Sequence, residues 1–249
     1  MATPSLQSLE RGLSILRALN AAPGMGIDSL STLLSLSRGT TYRLLETLRR
    51  GGYVEREGVR GKYVVTDRVL CLSDGCRATN VLQDRAQPLL DELSERYRWP
   101  VAIATPEGPD MVLRVTTDHK SPYVKRRYTT GSRQPMLFCS SGRVYLAHCN
   151  SSRRSAILSY LETLPINREP LDAEHRSELA RILSGIRQDG FSAYEGREQV
   201  TTLAVPIFQE DKIAGGLILR YFTSAMNVGT ACERFLPGLK EVAGKISAI

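Results

Sequence analysis

Arg38, Thr40, Tyr42 and Arg43 stand close together in SRGTTYRLLETLRR, and these side-chain types suit contact with the edges of DNA bases and with phosphate oxygens. Arginine can bond guanine O6 and N7 through two donors, and threonine can meet a thymine methyl group. At about 100° per residue, Thr41, Leu44, Leu45 and Leu48 fall on one side of a helix, with Arg43, Glu46, Thr47 and Arg50 opposite. One side would pack while the other stays free. Ser37 is placed to cap this helix, and Gly51-Gly52 supplies the residue type that tolerates a left-handed ending. The candidate contact set from this element is Ser37, Arg38, Thr40, Thr41, Tyr42 and Arg43.

The chain then alternates. Tyr53-Val54-Glu55-Arg56 leads to a turn around Gly58 and Gly61 and to a return strand Lys62-Tyr63-Val64-Val65, so a β-hairpin should present Arg56, Arg60 and Lys62 to a duplex backbone. Arg60 and Lys62 join the contact set.

Two further helices must hold the contact helix. Leu6, Leu9, Leu13, Leu16 and Leu19 recur at helical spacing, and a short run headed by Asp28 sets Leu30, Leu33 and Leu34 on one face. Pattern alone also allows a three-helix protein-interaction module with a solvated basic face. Charge placement favours nucleic acid: residues 1–36 hold two basic and two acidic side chains, whereas residues 37–68 hold eight basic against four acidic. The surplus thus sits where phosphates would be met.

Whole-chain figures agree. With 249 residues, 42% hydrophobic, the chain can bury a small and a medium-sized core, and its net charge of +7 suits a polyanionic partner. No stretch approaches the roughly 20 apolar residues of a membrane span, and the start lacks a signal-like apolar core, so a cytoplasmic location and no membrane partner are expected. Five scattered cysteines and three isolated histidines show no metal-ligand spacing. Neither a metal nor a cofactor is expected.

Residues 67–80 read as a linker helix and 81–249 as a second domain, after a first domain over 1–66. Leu82, Ala86, Leu89, Leu90, Leu93 and Tyr97 form an apolar stripe that either joins two copies of the chain or covers the sheet that follows; Pro88 should kink or start that helix. Strands are expected at 101–105, 111–116, 123–128, 201–207 and 215–221, with helices at 142–149, 155–161 and 174–189 between them. A last helix should begin at Thr230, where Thr230 and Glu233 have capping-box spacing. Strands, helices, then strands imply an α+β fold with an antiparallel sheet flanked by helices.

Five segments in order carry a family resemblance: SLERGLSILRAL, LSRGTTYRLLETLRRGGYVER, GSRQPMLFCSSGRVYLA, DGFSAYEG with LAVPIF, and GGLILRYFTSAM. Together they resemble the IclR-type bacterial transcriptional regulators over essentially the whole chain. The resemblance implies a winged helix-turn-helix domain, a linker helix used in dimerisation and a GAF-like effector domain. It also implies homodimers or homotetramers on double-stranded operator DNA. The final segments look most like the branch regulating phenylpropionate and hydroxyphenylpropionate catabolism, so the implied effector is a small organic acid, aromatic in type, that changes operator binding or contact with RNA polymerase.

In that family the effector carboxylate meets amides at the start of the helix after GxRxP, which here are those of Ser140, Ser141 and Gly142. A helix start offers unpaired N–H groups and a favourable dipole for an anion. Ordinary N-capping by Ser140 or Ser141 is the competing reading. Met136 and Phe138 precede this helix; Thr202 stands where a cysteine is common, and the family's acidic run is reduced around Glu195 and Glu198. Arg220 interrupts an apolar strand, where period two groups it with Ile218 and Phe222. Facing a pocket, Arg220 would clamp a carboxylate while Phe138 and Phe222 cover an aromatic ring; facing outward, it would be an edge-strand charge. Arg126, Arg127 and Arg133 carry the same two alternatives. An enzyme is the rival class, but no GxSxG elbow, P-loop or HExxH pair is present, so a hydrolase would need a site assembled wholly in three dimensions.

Overall fold

The structure, a computed structural model, describes residues 6–58, 61–72, 77–163, 173–196 and 198–248. It divides into two compact units, Met1–Ala78 and Thr79–Ile249.

The first unit has helices α1 (Gln7–Ala21), α2 (Ile27–Leu34) and α3 (Arg38–Arg50), followed by strands β1 (Val54–Glu57) and β2 (Lys62–Val65). Its core is built on Ile15, Leu16, Leu19, Leu30, Leu45, Val54 and Tyr63. Between α2 and α3 the chain turns through Ser35 in the left-handed region (φ 52°), and the Leu36 N–H donates to the Ser31 carbonyl at 2.9 Å. The hairpin is tied back to the helices: Tyr63 N–H donates to Met25 O at 2.9 Å, and Gly24 N–H to Tyr63 O at 3.1 Å. Only part of the expected α1 stripe packs. Leu6, Leu9 and Leu13 are exposed, because the helix turns Ile15, Ala18 and Leu19 inward instead. On α2, Leu33 is likewise exposed and Leu30 is the buried anchor.

The second unit is an α+β fold, as expected. A six-stranded antiparallel sheet has the order β5-β4-β3-β8-β7-β6, with β3 Val101–Glu107, β4 Asp110–Thr116, β5 Arg133–Pro135, β6 Ser192–Glu195, β7 Val200–Gln209 and β8 Lys212–Phe222. Its large side chains (Val101, Ile103, Leu203, Val205, Leu217, Leu219) face α4 (Arg77–Tyr97) and α8 (Val228–Ser247). The alternate positions Ala102, Ala104, Ala204 and Ile218 face α5 (Ser140–His148), α6 (Ser151–Thr163) and α7 (Ala173–Asp189). Period-two alternation therefore decides both layers. The smaller side chains on the α5 face permit close approach: a Cβ at Gly215 would lie 2.2 Å from Ala104 O, one at Gly216 3.2 Å from Ser141 Cβ, and one at Gly142 2.0 Å from Met136 O.

Several expectations need correction. Residues 123–128 form no strand; the Tyr128 N–H donates to the Asp118 carboxylate at 2.7 Å rather than to a neighbouring strand, and the short β5 lies beside β4. The edge strand β6 was not anticipated. Helix α4 runs through Pro88 without a break, and its stripe of Ala86, Leu90, Leu93 and Tyr97 covers the unit's own sheet. Asn227, not Thr230, caps α8: its side-chain oxygen accepts the Thr230 N–H at 2.9 Å. Phe222 does not share a side with Ile218 and Arg220, since at the strand end its ring packs edge-on against Trp99 (5.4 Å) with the α4/α8 cluster.

Candidate functional site

In the first unit, α3 starts as its residue types dictate. Ser37 has extended backbone, and its Oγ accepts the Thr40 N–H at 3.2 Å and lies 2.9 Å from Thr40 Oγ1. Beneath it, Thr41 is fully buried: its hydroxyl donates to Ser37 O at 3.1 Å and accepts from Ser31 Oγ at 3.0 Å. Thr41 therefore braces the turn and is withdrawn from the candidate contacts, because a hydroxyl enclosed by α2 and α3 cannot reach a base edge. Arg38, Tyr42 and Arg43 are exposed, and Lys62 is exposed on the wing; Arg60 lies outside the described residues.

Not all this charge is uncommitted. Arg38 pairs with Asp28 at 2.9 Å, both side chains largely exposed. Arg49 grips Glu46 through Nε (3.0 Å) and Nη2 (2.9 Å), and that bond holds the Glu46 carboxyl below its ordinary pKa. The spacing i, i+3 could have revealed the second pair in advance. Among the described residues the Arg43 guanidinium has no acidic partner.

In the second unit, α5 begins at Ser140 after the extended residue Cys139, whose side chain does not cap it. Ser140 and Ser141 are buried inside the first turn, so the N-capping alternative for them fails. Met136 is buried beside them, whereas Phe138 is exposed. Burial pushes the Cys139 thiol up from its usual pKa, which keeps it neutral and unreactive.

Strand register assembles a row on the α5 face: Tyr194 lies opposite Thr202, and Thr202 opposite Arg220. Thr202 donates its hydroxyl to Tyr194 O at 3.2 Å. Arg220 is on an interior strand with its side chain 12% exposed, so the edge-charge reading is overturned. Its guanidinium is ion-paired to Asp118, itself 2% exposed, and stacks 4.7 Å from the Tyr128 ring centroid. Asp118 also accepts from Thr116 Oγ1 and from the Tyr128 N–H. Arg126 reaches Glu198 (3.9 Å), and Arg133 pairs with Glu107, which makes them surface charges. Asp118, Tyr128, Arg143 and Tyr194 were missed from the sequence. Asp118 and Arg220 are 102 positions apart, and no local pattern joins them.

A model of the IclR helix-turn-helix domain matches residues 8–58, and a model of the bacterial transcriptional regulator IclR C-terminal domain matches residues 77–248. The chain belongs to the IclR family. It is a DNA-binding transcriptional regulator and not an enzyme. Among IclR relatives, the transcriptional regulator KdgR of Escherichia coli is 28% identical over 250 residues, covering 98% of this chain and 92% of its own. The Pca regulon regulatory protein of Pseudomonas putida is 25% identical, with 93% and 80% covered. An IclR homolog from Microbacterium hydrocarbonoxydans, solved in complex with 4-hydroxybenzoate, superposes with a TM-score of 0.65 at 23% identity, covering 98% and 97% of the two chains. Among the described residues no helix is long and apolar enough to cross a membrane.

Proposed function

We propose that this IclR regulator controls a catabolic operon by binding its operator through α3 and the β1–β2 wing, and that a small aromatic carboxylic acid alters this binding or the contact with RNA polymerase. Residues 1–66 are the DNA-binding domain, 67–80 the linker and 81–249 the effector domain. Ser37 and Thr40 set the helix start while Arg38, Tyr42, Arg43 and Lys62 meet the duplex. The acid's carboxylate lies at the first turn of α5, near Ser140, Ser141 and Gly142, with Met136, Thr202 and Arg220 bordering the site.

The observation that carries the effector reading is the buried start of α5, whose Ser140 and Ser141 are almost wholly enclosed and which no side chain caps. Orphan amides buried in this way call for an acceptor, and a carboxylate also gains from the helix dipole. The 4-hydroxybenzoate complex of the Microbacterium homolog favours an aromatic acid. Phe222 is withdrawn as a pocket cover, since its ring is occupied by Trp99. Operator binding as a homodimer or homotetramer is part of the reading; the exposed Leu6, Leu9 and Leu13 on α1 support a second copy better than α4, whose stripe is already used on its own sheet.

A thermal-shift screen with 4-hydroxybenzoate, 3-phenylpropionate and aliphatic acids of similar size tests this, because a ligand selective for the native state raises its melting temperature. Aromatic acids should stabilise the protein and change operator retardation in a gel. Stabilisation by aliphatic acids alone would replace the ligand class.

A further inference from the structure

Two guanidinium groups lie against the α5 face, and only one has its charge matched. Arg220 is neutralised by Asp118, a buried carboxylate that simultaneously accepts from Thr116 and from the Tyr128 N–H. For Arg220 to take a ligand carboxylate, Asp118 would have to leave a buried site and orphan those donors. Arg143 is different. It is half-buried, its Nε donates to Leu137 O at 3.2 Å, and its guanidinium carbon sits 4.6 Å from the Tyr194 ring centroid. Among the described residues no carboxylate lies within ion-pair distance of it, and its two Nη atoms meet no acceptor.

A half-buried cation without a counter-ion is costly, and burial accordingly lowers the Arg143 pKa from its ordinary value. The tyrosine ring below stabilises the cation and holds its plane, which leaves the outer edge for a planar two-oxygen acceptor. Tyr194 connects this group to the row described above through its carbonyl, which Thr202 holds.

We infer that Arg143, not Arg220, receives the effector's carboxylate, and that the Asp118–Arg220 pair is a fixed wall of the same site. This rests on the small-acid reading given above. With one unmatched cation on this face, the effector class is a monocarboxylate; a second carboxylate would face Asp118.

Isothermal titration of the full-length protein with 4-hydroxybenzoate and with its neutral counterpart 4-hydroxybenzamide tests the assignment. The wild-type protein should prefer the acid. Arg143→Gln should weaken acid binding tenfold or more while changing amide binding little, and Arg143→Lys should restore part of the preference. Arg220→Gln should lower the melting temperature yet keep the acid-over-amide ratio. Retention of that ratio in Arg143→Gln, with a melting temperature that shows it folded, overturns the assignment, as does its loss in a folded Arg220→Gln. If the wild-type protein binds neither 4-hydroxybenzoate nor any other monocarboxylic acid of the screen, the small-acid reading fails, and this inference with it.

Discussion

The two ion pairs Arg38–Asp28 and Arg220–Asp118 differ in where they put their charge. The first is exposed, with side chains 72% and 74% accessible, and joins positions on adjacent helices. The second is enclosed, 12% and 2% accessible, and joins positions 102 residues apart. Water screens the first, so its charges remain available to a polyanion; the second is insulated and serves to hold the chain around it. A DNA-contacting surface and a ligand-enclosing one thus use the same side-chain chemistry for opposite ends.

The largest effect should come from breaking the enclosed pair. Asp118→Ala leaves the Arg220 charge buried and releases the Tyr128 N–H, so the second unit should lose about 3–5 kcal/mol in chemical denaturation. Combining Asp118→Leu with Arg220→Met should recover most of that loss, since an apolar pair of similar volume carries no desolvation penalty. A double variant no better than Asp118→Ala would show that the hydrogen bonds, not the charge, hold the segment.

Next in size is the loss of Arg43, whose charge is uncommitted among the described residues. Arg43→Ala should weaken operator binding by about 1–3 kcal/mol if it reads a base, and the salt slope of log K should barely change. If it meets a phosphate, the slope should fall by about 0.9 and affinity should drop equally on all sequences. Filter binding across a range of salt concentrations separates the two, and no change in either quantity would remove Arg43 from the interface.

Why the first site was legible and the second was not follows from the same contrast. Ser37, Thr40 and Leu45 obey rules that act within a few residues: a cap bonds three positions on, and a helix face repeats every three or four. Those rules located α3 and the wing correctly. They failed for Thr41, whose helical position announced burial even as its residue type suggested a base contact. On the α5 face, Tyr194, Thr202 and Arg220 become neighbours through strand register, and Asp118 arrives from a segment without regular structure. Alternation identified which side Ile218 and Arg220 share, but it could not foresee that Trp99 draws Phe222 to the other. The strand expected at 123–128 failed for a related reason, since a side-chain carboxylate took the backbone donor that a strand would have used.

A smaller effect should follow Ser37→Ala. It removes the acceptor of the Thr40 N–H and should cost the first unit about 0.5–2 kcal/mol, leaving the second unit's unfolding unchanged. Two resolved transitions by calorimetry would show this, and a shift in both would mean that the units unfold together.

The smallest effect bears on the exposed pair. Asp28→Asn should change stability by less than about 1 kcal/mol, because solvent-exposed ion pairs contribute little. Its effect on DNA should nevertheless be visible, since Asp28 lies 2.9 Å from Arg38 and offsets a positive charge at the first turn of α3. With that carboxylate gone, operator affinity should rise and non-specific affinity should rise at least as much, because the gain is electrostatic and blind to sequence. A fall in the ratio of specific to non-specific binding would therefore identify Asp28 as a residue that limits indiscriminate attraction. An unchanged ratio with higher affinity would instead mean that Arg38 reads a base once freed, and the exposed pair would then be a specificity element in its own right.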